Sequence, residues 1–597
     1  MAKASTALPN VWLPELVELF ARYLDPRFVV CTLRMVDKAT AEQFRGRPEF
    51  SLHLSQPVPP QAFAAHWGPP GAIRDLTLAQ RHQLLRLTAA SGVVANLEVA
   101  LGAAGCIPQR PQHEQNLGAA AAKGCTDAVR YLLALGGSRA EAIDYFLNVA
   151  AKAGHQGVCE VLLSHERSGG VRQEHVTNAL RGGHPQLADW LLQQCWKAPI
   201  GPAVSLAPLG ISGCISVLHA AAEGCSLVTL QSLYGRCRGV AVGGVAKILS
   251  AAAGSRTADW QAKVEWWEPK MPPEARHQQD TGVCQAAAAC PDAEERLAWL
   301  LDRGYLADKD AASRALEANN AAALELLLQR GLRPEPGSVA YAAGAGCLEA
   351  LKTLLEHGCP LDAAGVARAA AEGGQLRVLV WAVEQLGASV QDPPVVDAAV
   401  RGCDLEALRW LRQHGCPLDG AWLALSAAQR GQLAVLAWAA EELGASLQSA
   451  ALMDAAAASG RKEVMAWLRE RGCPWGTGAF ALATGAGCEA ALEWLVEQGC
   501  PMPAHGGPYY EAACNVDLST LRCLARLGCP WGLANGGGAA FAMCTQPYCS
   551  PSLPVLRLLL ELGCPVNWEA CRGRAQHLPA DVRGWLLAEA DAARGVA

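Results

Sequence analysis

The chain is short of charge, aromatic rings and methionine, and no two of its cysteines are spaced as C-x-x-C. Only 18% of the 597 residues are charged, below the usual quarter. The net charge of -6 is spread thinly and no basic stripe is interleaved with aromatics. Neither nucleic acid nor an anionic membrane is therefore expected as a partner. No uncharged apolar run approaches about 18 residues, so no membrane-spanning helix is expected. The opening stretch MAKASTALPNVWLPELVELF has no uncharged apolar core ahead of a small-residue cleavage site. A secretory signal is not expected, and a soluble protein of the cytoplasm or nucleus is.

Catalytic signatures are missing as well. There is no G-x-S-x-G elbow, P-loop or H-E-x-x-H, and GAGCEA (485–490) lacks the last glycine of a dinucleotide fingerprint. No catalytic residue, cofactor or metal is expected, and a non-enzymatic chain is. The 24 cysteines run through the whole length without the knuckle spacing of a zinc site. They read as free thiols in a reducing compartment.

What is present is repetition. Gly-Cys-Pro occurs at 358–360, 415–417, 472–474, 499–501, 528–530 and 563–565. The glycines closing each apolar segment, from Gly304 through Gly331, Gly358, Gly387, Gly415, Gly444, Gly472, Gly499 and Gly528 to Gly563, are spaced by 27, 27, 29, 28, 29, 28, 27, 29 and 35 residues. Such regularity marks a solenoid. Each unit opens with a small-residue segment such as VARAAAEGG (366–374). An apolar-periodic one follows, such as LEALRWLRQHG (405–415), with Leu405, Leu408 and Leu411 on one face. Glycine ends the helix in a left-handed turn, and proline opens the connection. Cysteine between them is a small, soft core residue. The expected fold class is all-α, an α-solenoid of stacked helix-turn-helix units.

GQLRVLVWAVEQLGAS (374–389) returns at 431–446 as GQLAVLAWAAEELGAS, so a two-unit block is duplicated in tandem. Irregular units with insertions at 197–210 and 264–282 are expected over 113–300, and regular units over 301–567. Residues 568–597 are expected as a C-terminal capping helix, and 49–112 as a linker or atypical first unit.

These units resemble ankyrin repeats. GCLEALKTLLEHGCPLD (346–362) matches the second half of that pattern. AGHQGVCEVLL (153–163) and GGHPQLADWLL (182–192) keep its histidine, at His155 and His184, and SVLHAAAEG (216–224) keeps His219. The resemblance implies protein recognition, with an unidentified protein as partner. The units are several residues short, so shortened finger loops are expected. A tryptophan column (Trp381, Trp410, Trp438, Trp467, Trp494) is expected to pack between neighbouring second helices. Trp475, Trp531 and Trp568, after the corner prolines, are the partner-contact candidates.

Residues 1–48 stand apart. LPEL (13–16) opens a helix on whose apolar face Leu16, Leu19, Phe20, Tyr23 and Leu24 are expected, Asp25-Pro26 ends it, and Val29, Leu33 and Val36 follow. The segment resembles an F-box, and the resemblance implies docking to the adaptor subunit of a cullin–RING ubiquitin ligase through Leu13, Pro14, Leu16, Leu24, Leu33 and Val36. The alternative is a helical cap on the first unit. The expected function is a protein-binding scaffold, or a substrate receptor of such a ligase.

Overall fold

The computed structural model describes residues 14–24, 29, 38–44, 47, 53–136, 139–196, 209–237, 245–270, 281–533, 539–546 and 552–596. Among them there are helices and turns and no strand. From Leu78 onward the helices come in pairs, sixteen of them as far as Glu561, and the pairs stack into a solenoid; one continuous apolar core runs through the stack, and most of the first pair's buried residues join Val58, Phe63 and Ile73 in a second, smaller one. Three pairs fill the irregular stretch: Gly210–Gly224 with Leu227–Arg236, Val245–Ala253 with Trp260–Trp267, and Gly282–Ala288 with Ala293–Asp302. The Trp-rich stretch expected as an insertion thus begins as the end of a second helix. Residues 49–112 hold the first pair, Leu78–Ser91 and Val94–Ala104, with Pro60–Trp67 packed on its second helix. The C-terminal segment has two helices, Trp568–Arg574 and Ala580–Val596, where one was expected.

Residue size sets the bend of the stack. First helices carry alanine and glycine, so their backbones approach closely, as where Ala363–Glu372 lies against Pro393–Gly402. Second helices carry leucine and tryptophan, and successive ones touch at few points. The stack therefore curves with its first helices inside.

The Gly-Cys-Pro corner is a helix stop of one geometry. At the end of Leu405–Gln413, Gly415 has φ 79°, its N–H donates to Arg412 O, and the Cys416 N–H donates to Leu411 O at 3.0 Å. These are the two bonds of a Schellman motif. The other five corners repeat them, with φ between 66° and 85°. All six corner cysteines are buried, and none of the described cysteines is in a disulfide. Burial pushes the Cys416 and Cys500 thiols up to about 11, and those of Cys529 and Cys564 to about 12.

The stack also meets itself. Arg81, on the first helix of the first pair, is 1% exposed and ion-paired with Asp517, also 1% exposed, which caps Leu518–Arg526 fourteen pairs later. The same guanidinium donates to Ala104 O (2.7 Å), Ser519 Oγ (2.8 Å) and Gly487 O (2.7 Å). Backbone bonds flank it: Ser519 N to Gly105 O, Ile107 N to Val516 O, and Ala490 N to Arg74 O. The first pair contributes the start of its first helix and the end of its second. The distant pairs contribute the turns between their helices. The contact is end to end, so the stack winds as a superhelix with fourteen pairs to the turn.

Candidate binding face

The concave side carries a groove of about 850 Å³ between the first helices Arg110–Ala122 and Ala140–Ala153. Its floor is the half-buried Gly118 and Ala119. Its rim carries Arg86, Arg139 and Glu141. Tyr145 stands in it at 62% exposure, with its edge-on neighbour Phe146 buried beneath. A Cβ added to Gly118 would lie 3.0 Å from the Phe146 ring, so the floor is as low as the packing allows. An apolar floor with one exposed aromatic and charges of both signs can hold a partner by shape and polar contact. Within it Arg139 faces Glu114 at 3.6 Å, an ion pair at the edge of the groove.

The tryptophans expected to face a partner are half-buried, and their rings are engaged. Trp475 stands edge-on to Trp494 with Arg469 over it at 4.6 Å. Trp531 stacks on Tyr509 at 3.8 Å, and Trp568 meets Phe541 at 5.9 Å. Each fastens a corner to a neighbouring helix. In the tryptophan column, Trp381 and Trp438 are buried, Trp410 stacks on His414 at 4.0 Å, and Arg471 covers Trp467 at 4.0 Å. His155 meets Ala122 O at 3.2 Å and ties one unit to the one before it.

Of the N-terminal candidates, Leu13, Leu33 and Val36 lie outside the described residues. Pro14 opens the helix Pro14–Ala21, and Leu16 and Leu24 are half-buried. Val17, Ala21, Val29 and Phe44 form a small core separate from that of the stack. Leu19, Phe20 and Tyr23 were expected on one apolar face with Leu16 and Leu24. They point outward, at 47%, 49% and 84% exposure. The short helix buries only one residue per turn, and Val17 and Ala21 take those places. Arg47 clasps Glu18 and holds its carboxyl below the usual range.

Two constellations suggest chemistry and are already occupied. Glu489, Glu493 and Cys523 converge within 4.8 Å, a set that could ligate a metal. Arg526 reaches both carboxylates and Arg74 pairs with Glu493, so the negative charge is met. Lys263 is a fully buried amine, but its Nζ donates to Ala222 O (3.1 Å), Ser255 Oγ (2.8 Å) and Thr257 Oγ1 (2.6 Å). It binds one unit to the next.

No family model matches the sequence, and no curated protein matches it. Solved structures do. The crystal structure of the pentatricopeptide repeat protein PPR10 from maize aligns over 98% of each chain at 12% identity, with a TM-score of 0.24. The same protein in complex with an 18-nucleotide psaJ RNA element aligns over 95% of this chain and 92% of that one, at 13% identity and a TM-score of 0.24. At that score nothing about this chain's ligand follows. One expectation is nevertheless corrected: the solved structures aligned include RNA complexes, which at this score argue neither for nor against RNA here, and nucleic acid is not excluded. The exclusion rested on net charge, and a repeat surface binds through local side chains that the net charge of a chain does not report.

Among the described residues no helix is long and apolar enough to cross a membrane.

Proposed function

We propose that the chain is a non-enzymatic repeat scaffold, ankyrin-like in its units, that holds a protein partner on the concave face. The observation that carries this reading is the groove around the exposed Tyr145. A solenoid displays a long surface of this kind. The buried free thiols fit a reducing compartment. The test is site-specific photo-crosslinking in cells, with a crosslinking residue at Tyr145 and, as control, at Val228 on an outer helix. A discrete protein adduct from Tyr145 alone supports the proposal. Adducts that disappear with ribonuclease overturn it in favour of RNA.

A second reading rests on Leu19, Phe20 and Tyr23. A short helix and the turn after it, with three exposed large apolar side chains between them, suit docking to a helical partner, and the F-box resemblance names a ligase adaptor. Binding of the full chain to that adaptor, lost on changing Leu19, Phe20 and Tyr23 to serine, would make the scaffold a substrate receptor. Binding that survives deletion of residues 1–45 removes that reading.

A further inference from the structure

The Trp-rich stretch builds a three-ring cluster on the outer side of the stack. Trp266 and Trp267 end the second helix Trp260–Trp267, and a 3-10 turn, Glu268–Lys270, follows. Tyr234, from the preceding second helix, stands edge-on to both, 5.4 Å from Trp266 at 90° and 5.2 Å from Trp267 at 81°. The two tryptophans are 5.4 Å apart and tilted by 50°. Trp267 is fully buried and forms the floor; Trp266 and Tyr234 are half-buried and form the walls.

The chain places its own cation over this cluster. The Lys270 ammonium lies 3.5 Å from the Trp266 centroid, 5.6 Å from Tyr234 and 5.9 Å from Trp267. Among the described residues no other cation is shared by three rings; Arg471 and Arg303 each cover one. The neighbouring carboxylates do not draw Lys270 there. Glu268 bonds Arg303 and Tyr305, and Glu265 faces Arg303. Ring faces attract a cation within about 6 Å. Among the described residues Lys270 Nζ donates one hydrogen bond, to Trp266 O. The rings offer its remaining N–H groups no acceptor of full strength. A methylated ammonium has the same charge, fewer or no N–H groups to satisfy, and more surface for three rings to cover.

We infer that Tyr234, Trp266 and Trp267 form a cage for a methylated ammonium, the side chain of a trimethyl-lysine on a protein partner, and that Lys270 occupies it in the free chain. The cage lies on second helices, away from the concave groove, and stands whether or not that groove binds protein. Calorimetry on the full-length chain and its Lys270→Ala variant tests it. The probes are a peptide with one trimethyl-lysine, the same peptide unmethylated, and phosphatidylcholine vesicles. Removing a resident competitor raises apparent affinity, so Lys270→Ala is expected to bind the trimethylated peptide at least ~10-fold tighter than the parent chain does. It should ignore the unmethylated peptide, and Tyr234→Ala added to it should abolish binding. Equal binding of both peptides by folded Lys270→Ala, or binding of neither, overturns the cage. Binding of vesicles without the peptide overturns its assignment to a lysine side chain. Tetramethylammonium titrated into the parent chain, read by the Trp266 indole N–H resonance, gives a second measurement: a saturable shift supports the cage, and its absence at molar salt overturns it.

Discussion

The Arg81 guanidinium and the Asp517 carboxylate, 436 residues apart, are joined by two hydrogen bonds, at 2.9 and 2.5 Å, out of reach of water. Asp517 also accepts from the Thr520 backbone N–H and hydroxyl, so each partner is held before they meet. The pair fastens the first unit of the stack to the fifteenth.

Breaking one side of a buried ion pair costs about 3–5 kcal/mol, because the other charge stays buried. Asp517→Ala is expected to destabilise the chain by an amount of that order in urea. The loss should be local first: amide exchange should rise in residues 74–109 before it rises in the central units. Unchanged exchange over 74–109 would mean that the contact is absent in solution.

Gly154 tests a close approach. It has φ 82°, and the His184 ring lies 2.4 to 2.6 Å from where a Cβ would sit. Left-handed backbone alone costs an alanine about 1–2 kcal/mol. Gly154→Ala should cost more than that, and adding His184→Ala should return the steric part while leaving the backbone part. A double-mutant cycle in urea reads the coupling; strict additivity would contradict the packing.

The buried corner thiols give a pH dependence of known sign. A thiol ordinarily near 9.0 is raised to about 11 at Cys416 and about 12 at Cys529. Between these values the unfolded chain has lost the proton that the folded chain keeps, so stability is complete below pH 9 and falls from pH 9 towards pH 11 and above. The urea midpoint should drop over that window, and less steeply in Cys416→Ala. Iodoacetamide at pH 8 should modify the exposed Cys195 well before the corner cysteines of the native chain.

Much of this fold is written locally. Gly415 and Cys416 announce their helix stop because a Schellman corner needs only six consecutive residues. The alternation of VARAAAEGG with LEALRWLRQHG announces the pair and its curvature, through side-chain volume alone. The outward turn of Leu19, Phe20 and Tyr23 is not written there, because Leu16, Val17, Leu19, Phe20 and Ala21 spread over most of an eight-residue helix, and their pattern does not say which of them is covered. Nor is the place of Tyr145, since exposure along the inner face depends on neighbours in three units. Arg81 looks in sequence like any charged helix residue. Its partner is set by superhelical pitch, a sum of small rotations over fourteen pairs that no local pattern reports.

That pitch is the decisive quantity, and small-angle X-ray scattering reads it. The parent chain and Asp517→Arg should be measured side by side. A self-meeting superhelix predicts a compact, hollow profile for the parent and a larger radius of gyration for the variant, where two positive charges face each other at the contact. A parent chain already as extended as the variant would contradict it.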